Sequence, residues 1–523
     1  MRLHRLKALR VGVALVFFTL IALVFLDFHN HVVPAIAQGL LYPQFVPSLL
    51  QYVHTAALGA TGFIVVVLLT LLFGRVYCST LCPLGTLQDV MRFVVRRKQK
   101  RPGFQFSEPH NGLRYSILVL TVLLLLSGSG LLLNLLDPFS SFGRISTNLF
   151  RPVVLFLNNL AAVILEQWGL YTLPRVRWAV FASGATSVSM ATLLLVAWLA
   201  ATRGRLYCNT VCPVGTLLGL FAKISRLRIT IDQDSCKGCK VCEDVCKAGC
   251  IDSRQKTVDS SRCVSCYNCL AVCQRNGLRF ENKWRRRPPT VQPNQERRQF
   301  LVNSGVFLLG LAGAPEPTKV IIQSKPTTIP PKVLCPVSPP GSGSIANFTA
   351  TCTACHLCVS ACPSRVLVPS LFEFGLNTIM QPRMNFDSGY CNYDCTICLS
   401  LCPSGAILPL GVEQKKRTQL GVAKFIKENC VVFTDNTTCG ACSEHCPTKA
   451  VDMVPYANPA NKDLKIPEMK PDYCIGCGGC EHACPTKPYK AIFVDGNPEH
   501  KLAQKPVVKK IDVRVDTNED FPF

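Results

Sequence analysis

Thirty cysteines punctuate this 523-residue chain, and most recur in the spacing Cys-x2-Cys-x2-Cys-x3-Cys. That spacing suits [4Fe–4S] ligation, because a tight loop folds three thiolates around one cube while the fourth lies one helical turn away. Two such motifs stand close together, Cys236, Cys239, Cys242, Cys246 and Cys263, Cys266, Cys269, Cys273. In two-cluster ferredoxins the fourth cysteine of each motif serves the other cluster. On that rule Cys236, Cys239, Cys242 and Cys273 hold one cluster, and Cys263, Cys266, Cys269 and Cys246 the second. The usual proline after the fourth cysteine is replaced by Lys247 and Gln274, and Cys250 is near enough to substitute for Cys246.

Four more motifs follow, each ending in Cys-Pro. They are Cys352, Cys355, Cys358, Cys362; Cys391, Cys395, Cys398, Cys402; Cys430, Cys439, Cys442, Cys446; and Cys474, Cys477, Cys480, Cys484. Six complete ligand sets predict six [4Fe–4S] clusters. The expected nesting of the distal sets pairs the first motif with the last and the two middle ones together, although spacing alone does not fix it. Zinc knuckles also use Cys-x2-Cys, but tandem four-cysteine runs argue against them. Cys352-Thr-Ala-Cys355-His356 fits the haem-attachment pattern, yet Cys358 and Cys362-Pro fit only the cluster reading. No side chain is assigned acid–base catalysis.

Six cysteines remain, and four form a duplication. Gly74-Arg-Val-Tyr-Cys78-Ser-Thr-Leu-Cys82-Pro-Leu-Gly85-Thr-Leu87 returns as Gly204-Arg-Leu-Tyr-Cys208-Asn-Thr-Val-Cys212-Pro-Val-Gly215-Thr-Leu217, with ten of the fourteen positions identical. Each copy follows an apolar run. The matched positions predict two dithiols facing each other, able to bind a metal, form a redox disulfide or gate electrons; plain helix-end packing is the alternative. Cys250 and Cys335 carry no assigned role.

These residues need a membrane unit to position them. Apolar runs at 11–28, 56–73, 113–135 and 179–201 are long enough to span a bilayer, whereas 152–165 reads as a short interfacial or re-entrant helix. The run at 11–28 is expected to be an uncleaved anchor. Residues 1–314 carry 35 Lys and Arg against 13 Asp and Glu, and residues 315–523 carry 21 against 19. The basic residues flank apolar runs, as the positive-inside rule expects, so the charge reads as membrane topology and not as a nucleic-acid footprint. The loops at 92–102 and 203–228 are therefore expected in the cytoplasm, with both duplicated turns on the inner side. His29, His31 and His54 fall at the opposite edge, as interfacial residues. Arg297-Arg298-Gln-Phe300-Leu301 before an apolar stretch fits a twin-arginine export signal, which would place the last module outside.

The expected organisation is a transmembrane unit over 1–230, a two-cluster module over 231–280, a linker with a short anchor over 281–345, and a four-cluster module over 346–523. The fold class is an α-helical membrane unit of four main helices plus that anchor, with α+β ferredoxin-like modules.

The two Cys-x3-Cys-Pro turns, the two-cluster module, the twin-arginine stretch and the four distal motifs together resemble the quinol-dehydrogenase proteins of periplasmic nitrate reduction, NapH and NapG, joined in one chain. The resemblance implies a bacterial inner-membrane electron carrier. It would draw on the quinol pool and serve a periplasmic or membrane redox enzyme or cytochrome. A metal-handling assembly factor, with the Cys-x3-Cys-Pro thiols binding or reducing copper, is the rival reading; a cluster-based redox sensor is a third.

Overall fold

The computed structural model describes residues 2–27, 32, 34–55, 61–99, 104–176, 182–273, 275, 277–282, 329–371, 375, 379–456 and 464–505. His29, His31, Gln274, the twin-arginine stretch and the run at 300–314 lie outside them. The chain divides into two compact units. The first comprises 1–325, 338–388 and 396–410; the second comprises 326–337, 389–395 and 411–523.

The first unit opens with α1 (Arg2–Leu26), then α2 (Pro34–Leu41), α3 (Phe45–Thr55) and α4 (Gly62–Phe73). After the first duplicated turn (α5, Tyr77–Thr80) come α6 (Pro83–Gln99), α7 (Asn111–Leu126) and α8 (Leu131–Leu136). Helix α9 (Pro138–Ile145) runs through a π turn into α10 (Arg151–Gln167), and α11 (Ser183–Arg203) leads to the second duplicated turn and α12 (Pro213–Ala222). Strand β1 (Leu227–Ile231) pairs antiparallel with β4 (Leu278–Asn282), enclosing the short hairpin β2 (Ile251–Asp252) and β3 (Thr257–Val258).

Among the described residues three helices are long and apolar enough to cross a membrane: Arg5–Leu26, Pro138–Gln167 and Ser183–Arg203. Two expectations change. The stretch at 152–165 is no short interfacial helix but the second half of a 30-residue one, because Pro138 sits in its first turn behind the Asp137 cap and interrupts nothing. The run at 113–135 is broken between α7 and α8, where Gly128 takes φ +84°. Of the run at 56–73, the described residues include the 12-residue helix α4.

The two cluster-bearing parts of this unit pack on opposite ends of the same helices. Ser189, near the start of α11, bonds Asn148, whose Nδ2 also meets His356 Nδ1 of the first distal motif at 3.3 Å. At the other end of α11, Arg205 N donates to the carbonyl of Lys247 in the two-cluster module at 2.8 Å. Fifteen residues of helix separate Ser189 from Gly204, a rise of ~22 Å. Helix α1 repeats the arrangement. Arg10 reaches the Ser79 carbonyl, while Phe25 packs on Phe139 and Phe142 beside Gly143, where an added Cβ would lie 2.3 Å from the Cys355 carbonyl.

In the same unit β5 (Leu367–Pro369) pairs with β6 (Pro382–Met384). The second unit is built on β7 (Thr418–Phe425) paired with β10 (Ile492–Leu502), and on the hairpin β8 (Val451–Pro455) and β9 (Lys465–Met469).

Candidate iron–sulfur sites and the duplicated turns

Four of the six motif loops share one backbone device. The residues two and four places after the first cysteine take positive φ: Gly238 and Lys240, Ser265 and Tyr267, Ala354 and His356, Gly476 and Gly478. Five of these eight are not glycine, and positive φ is uncommon for such residues. Recurrence at the same two offsets shows that the loop demands the conformation. Left-handed residues alternating with right-handed ones turn successive N–H groups into a concavity that suits an anion, here a thiolate-ligated cluster.

The second unit provides the clearest test of fit. Cys430, Cys439, Cys442 and Cys484 line one apolar cavity, and Cys446, Cys474, Cys477 and Cys480 line another. Backbone donors face the sulfurs, with Ala450 N 3.1 Å from Cys446 Sγ and Ala423 N 3.5 Å from Cys474 Sγ. Four thiols around an apolar chamber with N–H donors are what a [4Fe–4S] cluster requires. The third and fourth motifs therefore exchange their last cysteines, correcting the expected nesting. The β8–β9 hairpin is the cause: β8 follows the third motif and β9 precedes the fourth, so their antiparallel pairing sets the two motifs side by side.

In the first unit Cys352, Cys355 and Cys358 gather with Cys402, which again contradicts a first-with-last pairing. Cys362 and Cys398 lie in this unit, and Cys391 and Cys395 in the second. In the two-cluster module Cys269 is within electrostatic reach of Cys266, Cys263, Cys246 and Cys242, while Cys236 and Cys239 neighbour Cys242 and Cys273 packs into the adjoining core. Cys250 is buried with its sulfur 3.6 Å from that of Cys246. Its contact lowers the Cys246 thiol against the cost of burial.

A feature missed in the sequence is a hydroxyl two residues beyond each distal fourth cysteine. Ser364, Ser404, Thr448 and Thr486 stand 3.6, 3.6, 3.7 and 3.2 Å from the sulfurs of Cys362, Cys402, Cys446 and Cys484. The Cys-Pro-Ser/Thr pattern was its signal. The two-cluster module has Ala248 in the first of these places.

The duplicated turns meet in the buried core. Cys78, Cys82, Cys208 and Cys212 are each at most 4% exposed and belong to one hydrophobic cluster. Each preceding helix stops at a glycine with positive φ, Gly74 (+75°) and Gly204 (+66°). Each following helix begins at proline, and Cys212 Sγ accepts the Gly215 N–H at 3.3 Å as its cap. The two arginines then cross over. Arg75 donates to the Cys208 carbonyl (2.9 Å) and faces Cys78 Sγ (3.8 Å); Arg205 donates to the Cys78 carbonyl (2.7 Å) and faces Cys208 Sγ (3.9 Å). Asp89 binds Arg205, Lys247 and Arg10. Burial opposes its charge, but Arg205 and Lys247 prevail and hold it at about 2. Lys247, standing where proline was expected, thus ties the two-cluster module to α6.

An open cavity of ≈ 570 Å³ lies beside Cys402, lined by Gln38, Tyr42, Gln51, Leu401 and Leu408 among others. His54 is exposed on α3. His356 Nε2 meets the Met380 carbonyl at 2.8 Å in a buried site. Cys335 N donates to Asp495 Oδ1 at 3.0 Å.

The first unit carries membrane-length helices, and the second carries cysteine-lined chambers of the kind that hold iron–sulfur clusters. The description "4Fe-4S binding domain" matches residues 55–102 and 184–231, and "4Fe-4S dicluster domain" matches 351–406 and 437–487. The chain is 30% identical over 193 residues to the ferredoxin-type protein NapH of Haemophilus influenzae, covering 36% of this chain and 54% of that one. It is 27% identical over 201 residues to the methylamine utilization ferredoxin-type protein MauN of Methylobacillus flagellatus, covering 38% and 58%. It spans little more than half the length of these curated relatives. No solved structure matches it. The membrane-proximal part of the chain is thus similar to NapH- and MauN-type ferredoxin proteins, and its cysteine-rich stretches match 4Fe–4S binding domains.

Proposed function

We propose that this polyferredoxin draws electrons from the quinol pool of a bacterial inner membrane and delivers them through six [4Fe–4S] clusters to a redox enzyme outside the cytoplasm, its distal part acting as a NapG-type ferredoxin. The clusters supply one-electron redox chemistry; the chain's residues hold them, keep them dry and set their potentials. The observation that carries the quinol reading is the ≈ 570 Å³ cavity beside Cys402, which is large enough for a small ring. Tyr42 Oη, paired with Thr61 Oγ1 at 2.6 Å, and the Gln38 amide, donating to the Ser400 carbonyl at 2.7 Å, are placed to engage the ring's hydroxyls.

The test is anaerobic addition of a short-chain quinol to the oxidised protein, with cluster absorbance followed over time. Bleaching is expected, and Tyr42→Phe with Gln38→Leu should raise the quinol concentration needed about tenfold while dithionite still bleaches every cluster. Failure of quinol to bleach a protein that dithionite reduces would overturn the reading. The expected topology places residues after 342 outside, and reporter fusions after Arg287 and Ser342 should mark opposite faces; two cytoplasmic reporters would refute it.

A further inference from the structure

We propose that Cys78, Cys82, Cys208 and Cys212, two from each duplicated turn, together hold one additional iron–sulfur cluster that links the two cluster-bearing ends of the helices. Each stretch matching a 4Fe–4S binding description contains only two cysteines, Cys78 and Cys82 in one and Cys208 and Cys212 in the other. Neither is a ligand set alone. The fold buries all four thiols in one hydrophobic cluster, and the crossed arginines tie the two turns together, each within 4 Å of one first-cysteine sulfur and bonded to the carbonyl of the other.

The surrounding charge indicates what the thiols must be. Arg75 is wholly buried, and among the described residues no carboxylate pairs with it. Its partners are Asn209 Oδ1 and the Ser261 carbonyl (both 2.9 Å), the Cys208 carbonyl and Cys78 Sγ. A buried guanidinium facing only neutral dipoles is costly; four thiolates around an iron–sulfur core provide the missing negative charge. Arg75, Arg205 and the Gln88 amide (3.5 Å from Cys208 Sγ) also give the sulfurs the N–H donors that the other cluster chambers draw from the backbone. Zinc would not need two fixed cations beside it, and a pair of disulfides would leave Arg75 without an anion.

Position suggests the role. On one side, Arg75 bonds the Ser261 carbonyl, two residues before Cys263 of the two-cluster module. On the other, Tyr207, adjacent to Cys208, donates to the Leu136 carbonyl at 3.0 Å. Asp137 and Arg144 continue that path, Arg144 reaching the Ala354 carbonyl beside Cys355 at 3.5 Å. The four thiols thus lie beside the two-cluster module, at the start of a bonded path toward the cluster site at the other end of α11. One electron enters from one end as one leaves toward the other; the donor cluster is oxidised by one electron, the acceptor reduced by one, and no bond or proton moves. This linking role rests on the electron-transfer function above, whereas the ligation does not.

The test is Cys78→Ser with Cys208→Ser in the full-length protein, purified anaerobically. Iron and acid-labile sulfide should each fall by about two or about four atoms per chain, according to cluster type, with one component lost from the reduced EPR spectrum and the rest unchanged. Unchanged iron, or loss of copper instead of iron, would overturn the proposal whether or not quinol reduces the protein. If the double variant does not accumulate, Gln88→Leu serves. It removes a donor to sulfur without removing a ligand, so the midpoint potential of one cluster alone should drop with iron content intact. No shift in any cluster would equally overturn the proposal.

Discussion

Arg75 and Arg205 are exchanged between the two duplicated turns: each guanidinium leaves its own copy to bond the first-cysteine carbonyl of the other, at 2.9 and 2.7 Å. The exchange explains why the repeat begins with Gly-Arg well before its first cysteine. It also makes the copies interdependent, since either arginine removed leaves acceptors in the opposite turn unpaired.

Arg75→Leu should cost about 3–5 kcal/mol, because it strands Asn209 Oδ1 and two buried carbonyls together. Arg75→Lys keeps the charge but loses the fork and should recover only part of that. Yield and thermal unfolding of detergent-solubilised protein measure both; a neutral Arg75→Leu would contradict the crossed arrangement.

Gly85→Ala and Gly215→Ala should be nearly equivalent. An added Cβ would lie 2.3 Å from the Cys78 carbonyl in one case and 2.1 Å from the Cys208 carbonyl in the other, with an arginine nitrogen behind each. Neither carbonyl can retreat without losing its arginine. Each variant should lose about 1–3 kcal/mol, read from the same unfolding curves, and a substitution tolerated at one site only would break the equivalence.

How far the sequence disclosed this fold depends on whether local spacing or packing decided each feature. The cysteine runs, the paired turns and the stop at Gly204 are local, and spacing revealed them. The partner of each distal motif is set by the β8–β9 hairpin, which spacing does not encode, and the expected nesting failed there. The apolar stretch at 152–165 looked short because Arg151 and Asn158-Asn159 flank it; the structure carries the helix through all three, with Arg151 buried. The left-handed residues at Lys240, Ser265, Tyr267, Ala354 and His356 had no signal, since none of these types announces positive φ.

Thr486 and its three counterparts should raise the potentials of the distal clusters, because a hydroxyl donating to sulfur stabilises the more negative, reduced state. Thr486→Val should lower one midpoint by about 20–65 mV, the equivalent of ~0.5–1.5 kcal/mol in a one-electron couple. A potentiometric EPR titration checks this; an unmoved potential would show that the hydroxyl does not tune the cluster.

Burial holds the His500 imidazole down to about 4. Unfolded, it would titrate near ~6.5, so below that pH the unfolded chain takes a proton that the folded one refuses. Stability is therefore complete above ~6.5 and lost as pH falls toward 4, by about 2 kcal/mol between pH 7 and pH 5. His500→Gln should flatten that slope in pH-dependent unfolding, and an unchanged slope would place the titration elsewhere.

Conduction from one end of the helices to the other is the central claim, and proteoliposomes test it most directly. Vesicles holding ferricyanide inside, with purified protein in the bilayer and dithionite added outside, report internal reduction only if electrons cross. The account predicts reduction that exceeds protein-free vesicles and disappears with Cys78→Ser and Cys208→Ser together. Internal ferricyanide that stays oxidised with intact, cluster-loaded protein would contradict it.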